Sequence, residues 1–297
     1  MFTNMDLQAG FHQLKLSKDS REKTAFTPTS GLYHFKVLPF GCVSAPANFQ
    51  RTTDVILAGL SCKVCLCYLD DILVHGRSFK EHNERLDRVL SALLAAGLTL
   101  NPRKCVFGAR SITFLGHVVD VNGVSPNPKK IEAVLQFPRP DTITKLRSFI
   151  GMASFFRKFV LGFADIARPL NDLLKKEADV VRDWTEVHDQ AMDQLKEKLA
   201  SAPVLTHDDG VSQLELHIDA SCKGLGAVLY LVKESVRKPI AFASRRLDGP
   251  EGKYHINELE FLALLWALKR FQHHVCGRNV LVKTDSSVLG DGESRSN

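Results

Sequence analysis

The alternation of apolar and polar positions changes character several times along the chain. Residues 1–7 alternate as the end of a strand that carries Asp6, and turn-prone Gln8-Ala9-Gly10 is followed by renewed alternation through Phe11, Gln13, Leu14 and Leu16. Thr24-Ala25-Phe26-Thr27 and Tyr33-His34-Phe35-Lys36-Val37 flank Ser30-Gly31, a pattern that predicts a hairpin. Leu38-Pro39-Phe40-Gly41 breaks the strand, and Ser44-Ala45-Pro46 opens a helical run containing Phe49, Val55, Ile56 and Leu57. A strand entered at Val64 ends on Tyr68-Leu69-Asp70-Asp71 and returns through Ile72-Leu73-Val74, which puts two acids at a hairpin tip. Residues 78–96 place Leu86, Val89, Leu90, Leu93 and Leu94 on one stripe and close on Gly97, the signature of an amphipathic helix, and a strand follows over 112–119.

From Asn122 onward Gly and Pro cluster, and helical patterns follow at 131–137, 144–160 and 186–200. Alternation returns in strands at 214–219, 226–232 and 239–243, with a helix over 259–271 and a last strand at 280–282. The chain therefore divides into an α+β sheet domain over 1–120, a helical subdomain over 121–205 and an α/β unit over 206–289. The polar, periodless residues 290–297 read as a disordered tail. A strand needs neighbours to bury both its faces, so sequence upstream of the first strand is expected.

Composition narrows the class. The 297 residues suggest about two domains at roughly 150 per domain, and 44% hydrophobic residues excludes a collagen or a disordered chain. The 39 basic against 33 acidic residues leave +6, a mild excess compatible with a phosphate-bearing partner. Lys129, Lys130, Lys145, Arg147, Arg157 and Lys158 of the helical subdomain suit phosphates or a solvated helix face equally well. The seven cysteines are odd in number and scattered, and no signal segment opens the chain, so a reducing compartment is expected. Cys62 and Cys65 have the spacing of half a metal site without a second pair, and read as buried free thiols. Apolar windows such as 89–100 are interrupted before about 18 residues accumulate, so no membrane span is expected.

Two adjacent carboxylates at a hairpin tip repel each other, and a divalent cation supplies a reason for them. Mg²⁺ takes oxygen ligands, often one or two carboxylates plus substrate phosphates, and paired ions about 3.5–4 Å apart stabilise both oxygens of an in-line phosphoryl displacement. Asp6 on an adjacent strand would complete such a site with Asp70 and Asp71. Tyr68-Leu69-Asp70-Asp71 alone is a weak signal, since a short acidic turn is common.

The motif does not stand alone. Met5-Asp6-Leu7-Gln8-Ala9-Gly10-Phe11-His12-Gln13, Lys23-Thr24-Ala25-Phe26, Leu38-Pro39-Phe40-Gly41, Ala45-Pro46-Ala47-Asn48-Phe49-Gln50, Tyr68-Leu69-Asp70-Asp71, Gly97-Leu98-Thr99, Phe114-Leu115-Gly116 and Leu146-Arg147-Ser148-Phe149-Ile150-Gly151 occur in this order. In these blocks the sequence resembles the reverse transcriptases of retroviruses and, more closely, of gypsy-class long-terminal-repeat retrotransposons, over residues 2–289. The resemblance implies a multidomain α+β fold: a right-hand polymerase palm with partial fingers, a helical thumb and connection, and a truncated ribonuclease H-like α/β domain. It makes Asp6, Asp70 and Asp71 the polymerase carboxylates, with Asp6 and Asp70 holding two Mg²⁺ ions, or Mn²⁺, and Asp71 auxiliary. Phe11 matches the bulky position that blocks a ribose 2′-hydroxyl, Phe40 and Gly41 match nucleotide contacts, and Lys104 matches a lysine assisting the pyrophosphate leaving group. Phe114, Leu115 and Gly116 match the hairpin that grips the primer. Asp219, Glu260 and Asp285 match the ribonuclease H acids and would bind a second pair of ions, whereas Glu258 lies about 200° around the helix from Glu260 and points away.

The sequence departs from the family at both ends: most of the fingers and the last ribonuclease H elements are missing, so a fragment of a longer polyprotein with an impaired ribonuclease H domain is expected. The implied function is RNA-directed DNA polymerisation on an RNA or DNA template with a primer and deoxynucleoside triphosphates; the alternative is an inactive remnant that binds primer–template. A cytoplasmic location with access to the nucleus is implied, without membrane association.

Overall fold

The computed structural model describes residues 1–175 and 178–284. They form two compact units that divide after Val121. In the first, the strands are β1 (Phe2–Asp6), β2 (Cys65–Tyr68), β3 (Asp71–His75), β4 (Val106–Ala109), β5 (Ile112–Phe114) and β6 (His117–Val119), and the helices are α1 (Lys18–Arg21), α2 (Ala45–Ile56) and α3 (Phe79–Ala95). Four strands make an antiparallel sheet in the order β2-β3-β1-β4, with Met5 opposite Ile72 and Asp6 opposite Asp71. Period-two alternation buries Thr3 and Met5 of β1.

Helix α3 forms where its stripe predicts. Ser78 Oγ accepts from the Glu81 N–H at 3.1 Å, the Glu81 carboxylate accepts from the Arg77 N–H at 2.7 Å, and Gly97 at φ +70° ends it. Its Val89 and Leu93 pack with Met5, Leu7, Phe49, Leu57, Ile72 and Val74 in one core, each such side chain contributing about 1.5–3 kcal/mol. Pro46, in the first turn of α2, needs no intrahelical donor, and the helix buries Phe49 and Thr53. One polar link crosses this interior: Thr3 Oγ1 lies 2.9 Å from His82 Nε2 and accepts from the Gly108 N–H at 3.0 Å, tying β1 to α3 and to β4.

The hairpin expected between Thr24 and Val37 is reduced to a single bridge, in which the Phe26 and Tyr33 backbones exchange hydrogen bonds of 2.8 and 2.9 Å. Residues 25–34 are all exposed, so no buried face stabilises longer pairing, and Phe26 stacks on Tyr33 and meets Phe35 at a tilt instead. The return segment pairs further back: Leu16 N–H donates to Lys36 O and Leu38 N–H to Leu14 O, which brings Phe40 beside the Gly10–Gln13 turn. The cysteine reading is also corrected. Cys65 is fully buried and burial pushes its thiol up to about 11, but Cys62 is exposed in a turn at φ +63°, and Cys222 and Cys276 are exposed as well.

The second unit begins with β7 (Val124–Pro126), whose Val124 exchanges backbone hydrogen bonds with Leu205. Helices α4 (Pro128–Leu135), α5 (Ile143–Phe155), α6 (Phe163–Ile166), α7 (Arg168–Asp172) and α8 (Glu186–Ala200) close around Leu146, Phe149, Phe159, Leu170, Leu195 and Leu199. Strands β8 (Gln213–Ala220), β9 (Gly224–Lys233) and β10 (Val236–Arg246) form an antiparallel meander. Helix α9 (Ile256–Arg270) and the short α10 (Gln272–Val275) then lead to β11 (Val280–Lys283), parallel to β8 at the sheet edge. Leu214, Leu216, Ile218 and Ala220 of β8 share a core with Leu259, Ala263 and Ala267 of α9, which leaves Glu215, His217 and Asp219 on the opposite face. The helices are fastened to this sheet: Ala164 N–H donates to buried Ser244 Oγ at 2.9 Å, and Arg246 pairs with Asp172 at 2.9 Å.

Candidate active site

The three acids of the first unit lie at one end of its sheet. Asp6 ends β1, Asp71 begins β3 directly opposite it, and Asp70 occupies the two-residue turn between β2 and β3. The turn is strained, because Leu69 adopts the left-handed region at φ +51°, unusual for a bulky side chain. Gln50 of α2 holds it: the Leu69 N–H donates to Gln50 Oε1 at 2.7 Å, while Gln50 Nε2 donates to Cys67 O at 3.3 Å and Asp54 Oδ1 at 2.9 Å. The Leu7 N–H donates to Asp70 O at 3.0 Å, so the two acidic segments are joined through backbone as well.

The electrostatics of the trio are unfavourable as they stand. Burial, then the charges of Asp6 and Asp71, push the Asp70 carboxyl above its ordinary value. Burial and Asp6 do the same to Asp71, opposed by a hydrogen bond with Asn4. Asp70 Oδ1 is buried and has no hydrogen-bond partner among the described residues. The nearby cation is Lys104, whose Nζ lies 3.5 Å from Asp6 Oδ1 on a side chain that is 65% exposed, too solvated to compensate three carboxylates. A buried, unpartnered carboxylate oxygen beside two further acids fits a divalent cation. Among the described residues no three His, Cys, Asp or Glu side chains stand as a ready-made metal cage.

Beside the acids, Phe11 is half-buried in the Gly10–Gln13 turn, its ring 5.3 Å from Phe49 and 5.2 Å from the exposed Phe40. Gly41 is at φ +89°, a conformation that favours glycine. Strands β5 and β6 pair Phe114 with His117 around a two-residue turn in which both Leu115 (φ +47°) and Gly116 (φ +78°) are left-handed, as the right-handed strand twist demands. Phe114 is buried with Ile112 and Leu73, and Leu115 stands at the tip, 40% exposed.

In the second unit Asp219 lies exposed near the end of β8, opposite Gly226 of β9. Glu260 is buried on α9, 4% exposed, and accepts a hydrogen bond from Thr284 Oγ1 at 3.3 Å. Glu258 is exposed and caps the helix instead, accepting from the His255 N–H. Asp285 lies outside the described residues.

Sequence reasoning gave Gly10, Gln13 and Gln50 no role. Gly10 abuts Asp70 Oδ1, leaving no room for a Cβ, and each glutamine clamps backbone at a distance of 86 or 19 residues. All three lie inside the motif blocks, but a neutral amide or a missing side chain carries no chemical signature until its partners are known.

Residues 1–119 match the family model of the reverse transcriptases (RNA-dependent DNA polymerase), and residues 184–282 match that of the RNase H-like domain found in reverse transcriptase. The chain belongs to the reverse transcriptases, as a polymerase domain followed by a ribonuclease H-like domain of the gypsy class of long-terminal-repeat retrotransposons. Over 97% of its length it is 39% identical to the retrovirus-related Pol polyprotein from transposon 297 and 37% identical to that from transposon gypsy, both of Drosophila melanogaster. It spans 27% and 28% of the length of those two relatives. Among solved structures it resembles the foamy viral protease–reverse transcriptase in complex with RNA/DNA hybrid, with a TM-score of 0.82 and 27% identity over 95% of this chain and 38% of that one. The same viral enzyme in complex with double-stranded DNA gives 0.83 and 26% identity over all of this chain and 61% of that one.

Proposed function

We propose that this chain carries out RNA-directed DNA polymerisation, with Asp6, Asp70 and Asp71 as its carboxylates. The observation that carries this reading is the buried, unpartnered Asp70 oxygen, held beside two further acids by a strained turn. Asp6 and Asp70 would hold two Mg²⁺ or Mn²⁺ ions, with Asp71 auxiliary; bound there, the ions supply charge stabilisation at the attacking and leaving oxygens. The primer 3′-hydroxyl oxygen bonds to the α-phosphorus of a deoxynucleoside triphosphate as the bond to the β-phosphate oxygen breaks, the hydroxyl proton passing to solvent and pyrophosphate leaving.

The chain's own residues position these partners. Phe11, wedged between Phe40 and Phe49, would close the space beside the sugar 2′ position, and the left-handed Gly41 lets backbone approach the nucleotide. Lys104, whose ammonium reaches Asp6, would meet the developing charge of the leaving group. The Phe114–Gly116 hairpin would grip the primer through the exposed Leu115. The foamy viral enzyme in complex with RNA/DNA hybrid supports a primer–template as the partner. In the second unit Asp219 and Glu260, with Asp285, would hold ions for cleavage of the RNA strand of a hybrid. Its place would be the cytoplasm with access to the nucleus.

Incorporation of labelled deoxynucleotide on an RNA template with a DNA primer, in Mg²⁺ or Mn²⁺, tests the reading. Incorporation by the wild-type chain that is lost in Asp70→Asn supports it. Incorporation retained in Asp70→Asn, or salt-sensitive hybrid binding by a folded wild type that incorporates nothing, overturns it.

A further inference from the structure

The turn that carries Phe11 is not held by apolar packing alone. Ala9 precedes it in the left-handed region at φ +48° and ψ +50°, a costly conformation for a residue other than glycine, asparagine or aspartate. The segment runs along the surface, with Gln8 and Ala9 exposed, so solvent-accessible backbone must be kept in an unfavourable shape by something specific.

That restraint is the side-chain amide of Gln13. Its Nε2 donates to Gln8 O at 2.7 Å, the residue just before the strained Ala9, and to Thr99 O at 2.9 Å. Its Oε1 accepts from the Thr99 N–H at 2.7 Å and from Thr99 Oγ1 at 3.3 Å. The amide thus exchanges a donor and an acceptor with the two backbone groups of one residue, as a strand residue does with its antiparallel partner. It extends by side chain the backbone pairing that otherwise stops at the Leu7–Leu100 bridge and the Gln8 N–H to Thr99 O bond. Both ends of the turn are fixed by one group, because Gln13 closes the Gly10–Gln13 helical turn and reaches back to the carbonyl in front of it.

We infer that Gln13 is a positioning residue for sugar selection: its amide locks the Ala9–Gln13 turn to Thr99 and thereby sets the depth at which Phe11 stands in the nucleotide site. The inference rests on the proposed polymerase reading and on Phe11 as the group facing the sugar 2′ position. Gln13 touches no reacting atom and acts through Phe11. Loss of the clamp lets the turn relax away from its strained shape, and the Phe11 ring moves relative to Phe40 and Phe49.

The test is the ratio of deoxynucleotide to ribonucleotide incorporation by the full chain, for wild type, Gln13→Ala, Phe11→Ala and the double variant. A merely structural loss lowers the active fraction for both sugars and leaves the ratio unchanged. Gln13→Ala is expected to lower the ratio by about tenfold, less than the roughly hundredfold that a 1 Å misplacement of a reacting group costs, because Gln13 acts through Phe11. In the Phe11→Ala background the same change is expected to have no further effect, the non-additivity of residues that act through one another. Gln13→Glu, which keeps the shape and the Thr99 N–H acceptor but sets an anionic oxygen against two carbonyls, is expected to lower the ratio as well, so the inference survives poor folding of the alanine variant. An unchanged ratio in Gln13→Ala and Gln13→Glu, or full additivity with Phe11→Ala, overturns the inference while leaving the polymerase reading intact. Absence of incorporation by a folded wild type overturns both.

Discussion

Gly10 stands so close to Asp70 that a Cβ on Gly10 would overlap Asp70 Oδ1 and lie 2.8 Å from Phe49 Cζ. The backbone of one motif block is therefore the wall against which the carboxylate of another is set. Gly10→Ala is expected to push Asp70 out of line and to reduce incorporation by about a hundredfold. Steady-state extension on a primed template checks it, with circular dichroism to confirm folding. Activity near wild type would mean that the Asp70 carboxylate shifts without consequence.

Asp70→Asn should separate stability from function. Burial and the neighbouring acids raise the Asp70 carboxyl, so near neutral pH the fold carries a charge that it disfavours. The variant is expected to melt above wild type in metal-free buffer at pH 7, while losing incorporation. The sign follows from the raised folded value: the stabilisation shrinks as pH falls and the wild-type carboxyl takes up its proton. Thermal melts between pH 7 and 4 read this out.

At the β5–β6 tip the strained residue is apolar. Leu115 holds φ +47° at an exposed position, where asparagine is accommodated with less strain. Leu115→Asn is expected to raise stability by about 0.5–1 kcal/mol and to weaken primer–template binding severalfold. A melt paired with a hybrid-binding titration separates the two effects. Unaltered binding would remove Leu115 from the primer contact.

Glu215, buried on β8, is surrounded by Arg237 at 2.6 Å, His217 at 3.1 Å and Lys283 at 3.3 Å. Burial alone would raise its carboxyl, but hydrogen bonds from these three groups outweigh burial and hold it at about 2, against an ordinary 4.5. A depressed carboxyl contributes stability that is present above its unfolded value and is lost as pH falls through the folded one. Glu215→Gln is expected to cost about 1–3 kcal/mol at pH 7, a gap from wild type that closes between about pH 5 and pH 2. Melting that follows the second unit, for example by the fluorescence of Trp266, gives the comparison.

The helix over Phe79–Ala95, the Cys65–His75 hairpin and the β8–β10 meander were legible in the sequence because each is set by local period, caps and turns. The acids Asp6, Asp70 and Asp71 were legible for a different reason: carboxylates with no apolar role stand at the ends of apolar strands, within ordered motif blocks. What local pattern could not supply was pairing over distance. The Thr24–Val37 hairpin has the right turn residues but no buried face, and only the folded chain reveals that Leu14 and Leu16 take the Lys36–Leu38 segment instead. The same limit hides Gln13 and Gln50, whose partners are backbone groups brought within reach by the sheet. Sequence alone determined which elements and acidic motif blocks this protein carries, because residue identity and periodicity are written residue by residue. Tertiary structure alone decided how tightly those acids are held, because strain, burial and hydrogen bonding belong to pairs of residues that the chain keeps far apart.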